Sequence, residues 1–576
     1  MPGPAIRPNC GADEAAEGAA SAGRFLPAVL LVVLLAVLVY LPGLGDEGAP
    51  TQKDEFNLSI RTQIEMLQRG RFLTPFLNGE PRFEKPPLVY WAMYLVGSIF
   101  GTSLFLARIP GVLSSVALAL GVLALARDMR LDRRKEVLAA FLALTCAGMY
   151  ALGRMALLDV PLAMFVTWGL FGFCRWTRTG RGAWLVFAAL AAGLANMTKG
   201  PLGPFLVCAA AVARLTIHRQ WGMLREQKKA VAAAALVFIM TALAWPIAMA
   251  AEWGEVFTET IREELFGKRF EGLGEGPFTV LGGFLGLMLP WTFLMVAALV
   301  TLARHRDDDR RDDLWLIVWI LIGTVPFLLL KSKFERYMVP VIPPAALLTV
   351  RRLDLHSKEG RVAVWATSVF IVLAAVLPMV PGIWFRIGPW PLWVLALATA
   401  AGSSLLFVRR NLLAGVVLYG VFLALMMGSL YPYLGVNRGP DDFARRVDNV
   451  RPLYKYNSSR PAFISLHLRR SIVSLRASED NPEQLERAIG EGAAIVVTGE
   501  KLAHFRKMMG QLSVEDLQVI YQWRAFATRK TFLQFTRRDA TAEDWRQAWR
   551  SRSLDGLRET YLVMRPALPT STNAGR

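Results

Sequence analysis

Long apolar runs alternate with short polar ones along this chain, and the alternation stops near residue 432. A run of about 17–25 apolar residues crosses roughly 30 Å of hydrocarbon as a helix. Such runs lie at about 25–44, 104–126, 135–153, 157–176, 183–198, 200–217, 230–250, 278–302, 314–330, 337–352, 361–381, 390–408 and 411–432, which predicts thirteen membrane spans. The stretch Pro86–Phe100 is apolar too, but it is short and opens on two prolines. From 436 to 576 the pattern changes. Short β-like runs (Ala462–Ile464, Ala493–Thr498, Val519–Tyr521, Thr531–Phe535) separate helical patterns such as Pro482–Ile489 and Glu500–Met509. That mixture predicts a small α/β domain. The expected fold class is a polytopic α-helical membrane protein with a C-terminal extramembrane α/β domain.

Charge decides how the spans are threaded. Residues 127–135 carry Arg127, Arg130, Arg133, Arg134 and Lys135 against two aspartates, and 214–229 are similarly basic. The stretch 252–276 holds seven glutamates against three basic residues. Basic short loops stay cytoplasmic. With the N-terminus and loop 127–135 both inside, an even number of crossings separates Phe25 from Arg127. Pro86–Phe100 must then lie along the outer interface. Counting on, residues 45–103, 154–159, 198–200, 251–277, 331–336 and 382–389 fall outside, with everything after 432. A crossing at 86–103 would instead put every basic loop outside.

Composition narrows the class. Hydrophobic residues make up 54% of the 576 and charged residues 19%, against roughly 25% charged in soluble domains; mean hydropathy is +0.36. The net charge of +19 collects in inter-span loops rather than in a basic stripe with interleaved aromatics, so nucleic acid is excluded as a partner. Cys10, Cys146, Cys174 and Cys208 have neither disulfide-framework nor metal-ligand spacing. The first 24 residues are Ala/Gly-rich and read as a disordered tail. The run Phe25–Leu44 lacks a small-residue cleavage site before Asp46, so it reads as an uncleaved first span.

Within this topology several polar pieces fall on one side: Asp54 with Glu55, Glu84 with Lys85, Arg154 with Asp159, Lys199, and the run Lys331-Ser332-Lys333-Phe334-Glu335-Arg336-Tyr337. Lysines and arginines outside run against topogenic bias, and a basic cluster at the outer surface suits a phosphate-bearing lipid head group. Acids beside it suit general-base or orienting work, and cations suit stabilising charge on a departing phosphate. Each piece has a structural alternative. Asp54 and Glu55 could answer a helix dipole. Glu84 and Lys85 could be a surface ion pair, Arg154 and Asp159 an interfacial bridge. Lys199 could snorkel, and 331–336 could be a charged turn.

The segments Asp54-Glu55, Leu77-Asn78-Gly79-Glu80-Pro81 and Phe83-Glu84-Lys85-Pro86-Pro87-Leu88 resemble the first outer loop of the GT-C polyprenyl-phosphate sugar transferases. The nearest branch is that of the lipid A aminoarabinose transferases, related to protein O-mannosyltransferases. Arg154-Met-Ala-Leu-Leu-Asp159-Val-Pro161, Thr198-Lys199-Gly200-Pro201 and Lys333-x3-Tyr337-x2-Pro340 resemble later motifs of that branch. The resemblance covers about 25–435 well and the tail in outline. It implies a bacterial inner-membrane glycosyltransferase, with an undecaprenyl-phosphate sugar as donor, lipid A or another outer-leaflet acceptor, and a periplasmic tail. It further implies that Lys85, Lys333 and Tyr337 contact the donor phosphate, joined by Lys199, Lys331 and Arg336. The acid at 54 or 55 would orient the acceptor or act as base, with Asp159 a further catalytic acid; Glu84 and Arg154 would complete the cavity. Two departures matter. The family's Asp-Glu lies ten residues before a Glu-Met-Leu, whereas Asp54 lies eleven before Glu65, so either Asp54 or Glu55 is the equivalent acid. The family's histidine that joins Glu84 in binding a divalent cation has no counterpart in Glu271–Pro277, and no cofactor is counted on. The competing readings are a protein O-glycosyltransferase and a lipid-linked-saccharide transporter. Transporters place their charges near mid-membrane in repeated halves, which this chain does not.

Overall fold

The computed structural model describes residues 26–264, 277–304, 310–329, 334–440 and the greater part of 442–566. Residues 1–25 and the loop 271–276 lie outside the described residues, as do Lys331 and Lys333. Among the described residues five helices are long and apolar enough to cross a membrane, or seven if two bent pairs are each one span. The other expected spans are present as helices that are shorter or more polar, such as Leu26–Tyr40, Asp159–Thr179, Gly182–Lys199 and Leu202–His218.

Two expected spans are broken. Arg133–Thr145 and Ala147–Gly153 meet at 61°, because Cys146 is extended (φ −67°, ψ 150°). Val280–Leu287 and Thr292–Arg304 meet at 107° across Pro290, which has no N–H to continue the ladder. The breaks support each other: the Ala147 N–H donates to the Leu289 carbonyl at 2.8 Å. The first and last helices also meet closely. A Cβ on Gly428 would fall 2.5 Å from the Pro42 carbonyl oxygen, so only glycine permits that backbone contact.

Charged groups collect at two opposite ends of the helices. At one, Asp128 pairs with Arg175 and Arg178, Asp312 with Arg214, and Asp313 with Arg351 and Arg352. At the other lies the loop 45–103. There Leu88–Phe100 is 13 residues long, about 20 Å of helix at about 1.5 Å per residue, and packs against Ile60–Arg69 and Leu104–Asp128.

The segment 453–566 holds a five-stranded sheet. Its order is Ser474–Leu475, Leu453–Tyr456, Ala494–Thr498, Glu559–Pro566, Leu517–Ala525, with the first three parallel and the rest antiparallel. Two expected strands differ. Ile464 opens a short helix, Ile464–His467, and residues 462–463 lie outside the described residues. Phe535 lies outside the named strands, its carbonyl accepting from Ala527 N at 3.0 Å; Thr531 is outside the described residues. The tail sits on the same end as the first loop. Tyr431, Val436, Phe526, Ala548 and Leu557 share a buried cluster, Trp384 stacks near Trp549, and Arg438 pairs with Asp46.

Candidate active site

The first loop is pinned before it presents anything. Asn78 (φ 59°) and Gly79 (φ 86°) make the left-handed pair that a two-residue hairpin needs, joining Phe76–Leu77 to Glu80–Pro81. The Glu65 carboxylate accepts from the N–H groups of Asn78 (2.8 Å) and Gly79 (2.9 Å), and Arg61 donates to the Asn78 side chain. Further on, Phe83 is buried in a cage with Trp245, Trp253 and Phe257, its ring 5.1 Å from that of Phe257. Edge-to-face aromatic contacts of this kind add to area burial. They fix where Glu84 and Lys85 emerge.

Asp54 and Glu55 part company. The Glu55 carboxylate is fully buried, receiving Arg108 Nε at 2.7 Å, Arg108 Nη2 at 2.8 Å, the Ala156 N–H at 2.9 Å and the Thr51 hydroxyl. All its lone pairs are engaged, so Glu55 is a tie between three stretches of chain and has no face for a ligand. This differs from the ligand-facing position expected of Glu55. Asp54 caps no helix; its carboxylate, a third exposed, pairs with Arg336.

Arg336 joins the distant pieces. Besides Asp54 it donates to Gln52 at 3.2 Å and lies 3.8 Å from the second oxygen of Asp159, whose first oxygen holds the Lys199 ammonium. The Lys199 nitrogen lies 4.4 Å above the Tyr337 ring, a cation–π contact. Burial alone would lower the pKa of Arg336, but Asp159 and Asp54 outweigh it and raise it, so the group stays cationic. The structure therefore brings together Asp54, Asp159, Lys199, Arg336 and Tyr337. Lys85 pairs with Glu264 and is close enough to Lys199 to repel its charge.

Other expected residues fall elsewhere. The Arg154 guanidinium is buried, donating to the Tyr150 hydroxyl and to the Pro42 carbonyl just beyond the first helix, away from the cavity position expected of it. Glu84 is half-exposed beside Arg82 at 3.5 Å, and among the described residues no three His, Cys, Asp or Glu side chains could hold a metal. An acid facing a guanidinium is a poor fit for a cation, so no step is routed through one. Sequence reasoning missed Arg108. Its signal is an arginine in the first turns of an otherwise apolar span, where a charge needs a partner. It also missed Lys455, a buried lysine of the tail sheet near Asp54.

Residues 84–245, under a third of the chain, match the family described as dolichyl-phosphate-mannose-protein mannosyltransferase. The undecaprenyl phosphate-alpha-4-amino-4-deoxy-L-arabinose arabinosyl transferase of Enterobacter sp. (strain 638) is 28% identical over 373 residues, covering 62% of this chain and 65% of that one. The Sodalis glossinidius counterpart is 26% identical over 453 residues, covering 74% and 80%. The crystal structure of ArnT from Cupriavidus metallidurans bound to undecaprenyl phosphate superposes with a TM-score of 0.67 at 19% identity. It covers 94% of this chain and 98% of that one, and shares its fold. The class is thus a membrane glycosyltransferase resembling the GT-C polyprenyl-phosphate sugar transferases. Within that class the chain is similar to the aminoarabinosyl transferases.

Proposed function

We propose that this protein moves a sugar from undecaprenyl phosphate to an acceptor at the outer leaflet of a bacterial inner membrane, with lipid A the favoured acceptor. It does so with thirteen spans, a cytoplasmic N-terminus and a periplasmic tail. The observation that carries this reading is the convergence of two acids and two cations from separate stretches, Asp54, Asp159, Lys199 and Arg336, on one end of the helices. The relatives' names supply the donor.

The chemistry follows from charge. An acceptor oxygen attacks the anomeric carbon, the carbon–oxygen bond to the lipid phosphate breaks, and its electron pair leaves on the phosphate. Negative charge on that phosphate grows through the transition state, where preorganised cations contribute most. Lys199 and Arg336 fill that role, with Lys85 beside them and Lys331 and Lys333 on the adjoining stretch. A lipid A phosphate is already anionic and needs no base. Asp54, held by Arg336, then orients and does not deprotonate. A protein hydroxyl acceptor, the second reading, would require Asp54 as base.

Purified protein is to be incubated with labelled undecaprenyl-phosphate sugar and lipid A. Arg336→Ala and Lys85→Ala should each lower kcat/KM at least a hundredfold, the loss expected for one transition-state electrostatic partner at about 10²–10³. Asp54→Asn should retain a flat pH–rate profile. Undiminished transfer by both cation variants would remove the donor site from this end of the molecule.

A further inference from the structure

We propose that the C-terminal segment supplies one wall of an acceptor subsite, and that this subsite takes the phosphorylated sugar head group of the acceptor. The proposal rests on the glycosyl-transfer reading above and names the residues that choose the second substrate. A cavity of about 230 Å³ lies between the first loop and the tail sheet, lined by Lys53, Asp54, Asn57 and Arg61 from the loop and by Lys455 and Ser474 from the tail. Lys455 and Ser474 are register partners on adjacent parallel strands, so the sheet presents them side by side. A neighbouring cavity of about 330 Å³ shares Ser474 and adds Arg487, with Glu80 as its acid.

Three features select the ligand. The first cavity is lined by Lys53, Arg61 and Lys455 and by the carboxylate of Asp54, with Glu65 3.9 Å behind Arg61; the balance is net positive and favours an anion. Lys455 and Arg61 are 2% and 4% exposed, so their charges act in a low-dielectric setting where an anionic occupant is worth more than at the surface. The volume is below the roughly 300–1,000 Å³ of drug-sized pockets, which suits one sugar or its phosphate and excludes a whole lipid.

Position assigns the cavity to the acceptor. It shares Asp54 with the cationic cluster but none of Asp159, Lys199 and Arg336. Asp54 thus lines this cavity while its carboxylate pairs with Arg336 of the cationic cluster. A displacement needs the attacking and leaving oxygens on separate sides of one carbon, and this arrangement supplies a separate anion site for each.

The test compares wild-type full-length protein with Lys455→Ala, Lys455→Arg and Lys53→Ala. The readouts are retention of radiolabelled lipid A without donor, and KM for lipid A and for the undecaprenyl-phosphate sugar. Lys455→Ala should weaken retention and raise the lipid A KM about tenfold, leaving the donor KM within twofold. Lys455→Arg should restore most of it, and lipid A stripped of phosphate should bind all forms equally weakly. Competition by free inorganic phosphate at millimolar levels should be slight, because the sugar contributes. Lys53→Ala, exposed and structurally neutral, should move the lipid A KM in the same direction, which keeps the proposal testable if Lys455→Ala fails to fold. Unchanged retention in both Lys→Ala variants, or a donor KM that rises in step with the acceptor KM, overturns the subsite. Wild-type retention of lipid A without any sugar transfer would overturn the transferase reading and leave the subsite standing.

Discussion

At the residue scale, two neighbouring acids have opposite fates. Asp54 and Glu55 cannot be told apart by spacing, since helical and loop positions beside each other face different ways only once partners are known. The partner that decides is Arg108, 53 residues away, which closes on Glu55 with two hydrogen bonds. Removing one member of a fully buried pair leaves a naked charge at a cost of about 3–5 kcal/mol. Arg108→Ala should therefore deplete folded protein, seen as loss of the monodisperse peak in detergent. Asp54→Asn should fold normally and lose turnover. An Arg108→Ala protein that is well folded and merely slow would reassign Glu55 to the chemistry. Arg154 teaches the same lesson: its motif was legible, but its direction, toward Pro42 and Tyr150, depends on contacts the sequence does not display.

At the element scale, the helices were legible because apolar periodicity is strong, whereas the breaks at Cys146 and Pro290 were not. A proline inside an apolar run is common, and only the facing break at Ala147 makes this one a bend. The tail strands were read in part. Leu453–Tyr456 was missed because buried Lys455 interrupts its apolar pattern. The last strand, Glu559–Pro566, carries a testable charge. Burial raises the Glu559 pKa, with the nearby Glu500 charge adding to it against the Glu500 N–H, which donates at 3.3 Å. A carboxyl whose folded pKa exceeds its unfolded one favours the protonated fold. Its penalty is therefore absent below the unfolded value of about 4.3 and grows as pH rises through the folded one. Glu559→Gln should raise the melting temperature at pH 7 relative to wild type, and the gap should close by pH 4. A gap that widens on acidification would reverse the assignment.

At the scale of the whole molecule, charged groups gather at two ends of the helices, and the threading read from loop charges is tested by which face each end occupies. Residues 53, 85, 199, 336 and 455 gather at one end, while the bridges of Asp128, Asp312 and Asp313 gather at the other. Single cysteines at Lys53 and at Arg134 should label from opposite faces of sealed vesicles, the first from the periplasmic side. Labelling of both from the same face would dismantle the threading and the transferase reading with it. What no pattern in the chain revealed is the seam between loop and tail, because cavities arise from packing between parts that are far apart in order.

That seam divides labour within one polypeptide. In the proposed division, grip on the lipid carrier falls to the helices and their loops, whereas recognition of the second substrate is shared with the tail sheet. Grafting the corresponding sheet from a relative with another taste should therefore exchange the recipient of the sugar while the carrier stays the same, so that diversification of the envelope could proceed by swapping one end of the gene.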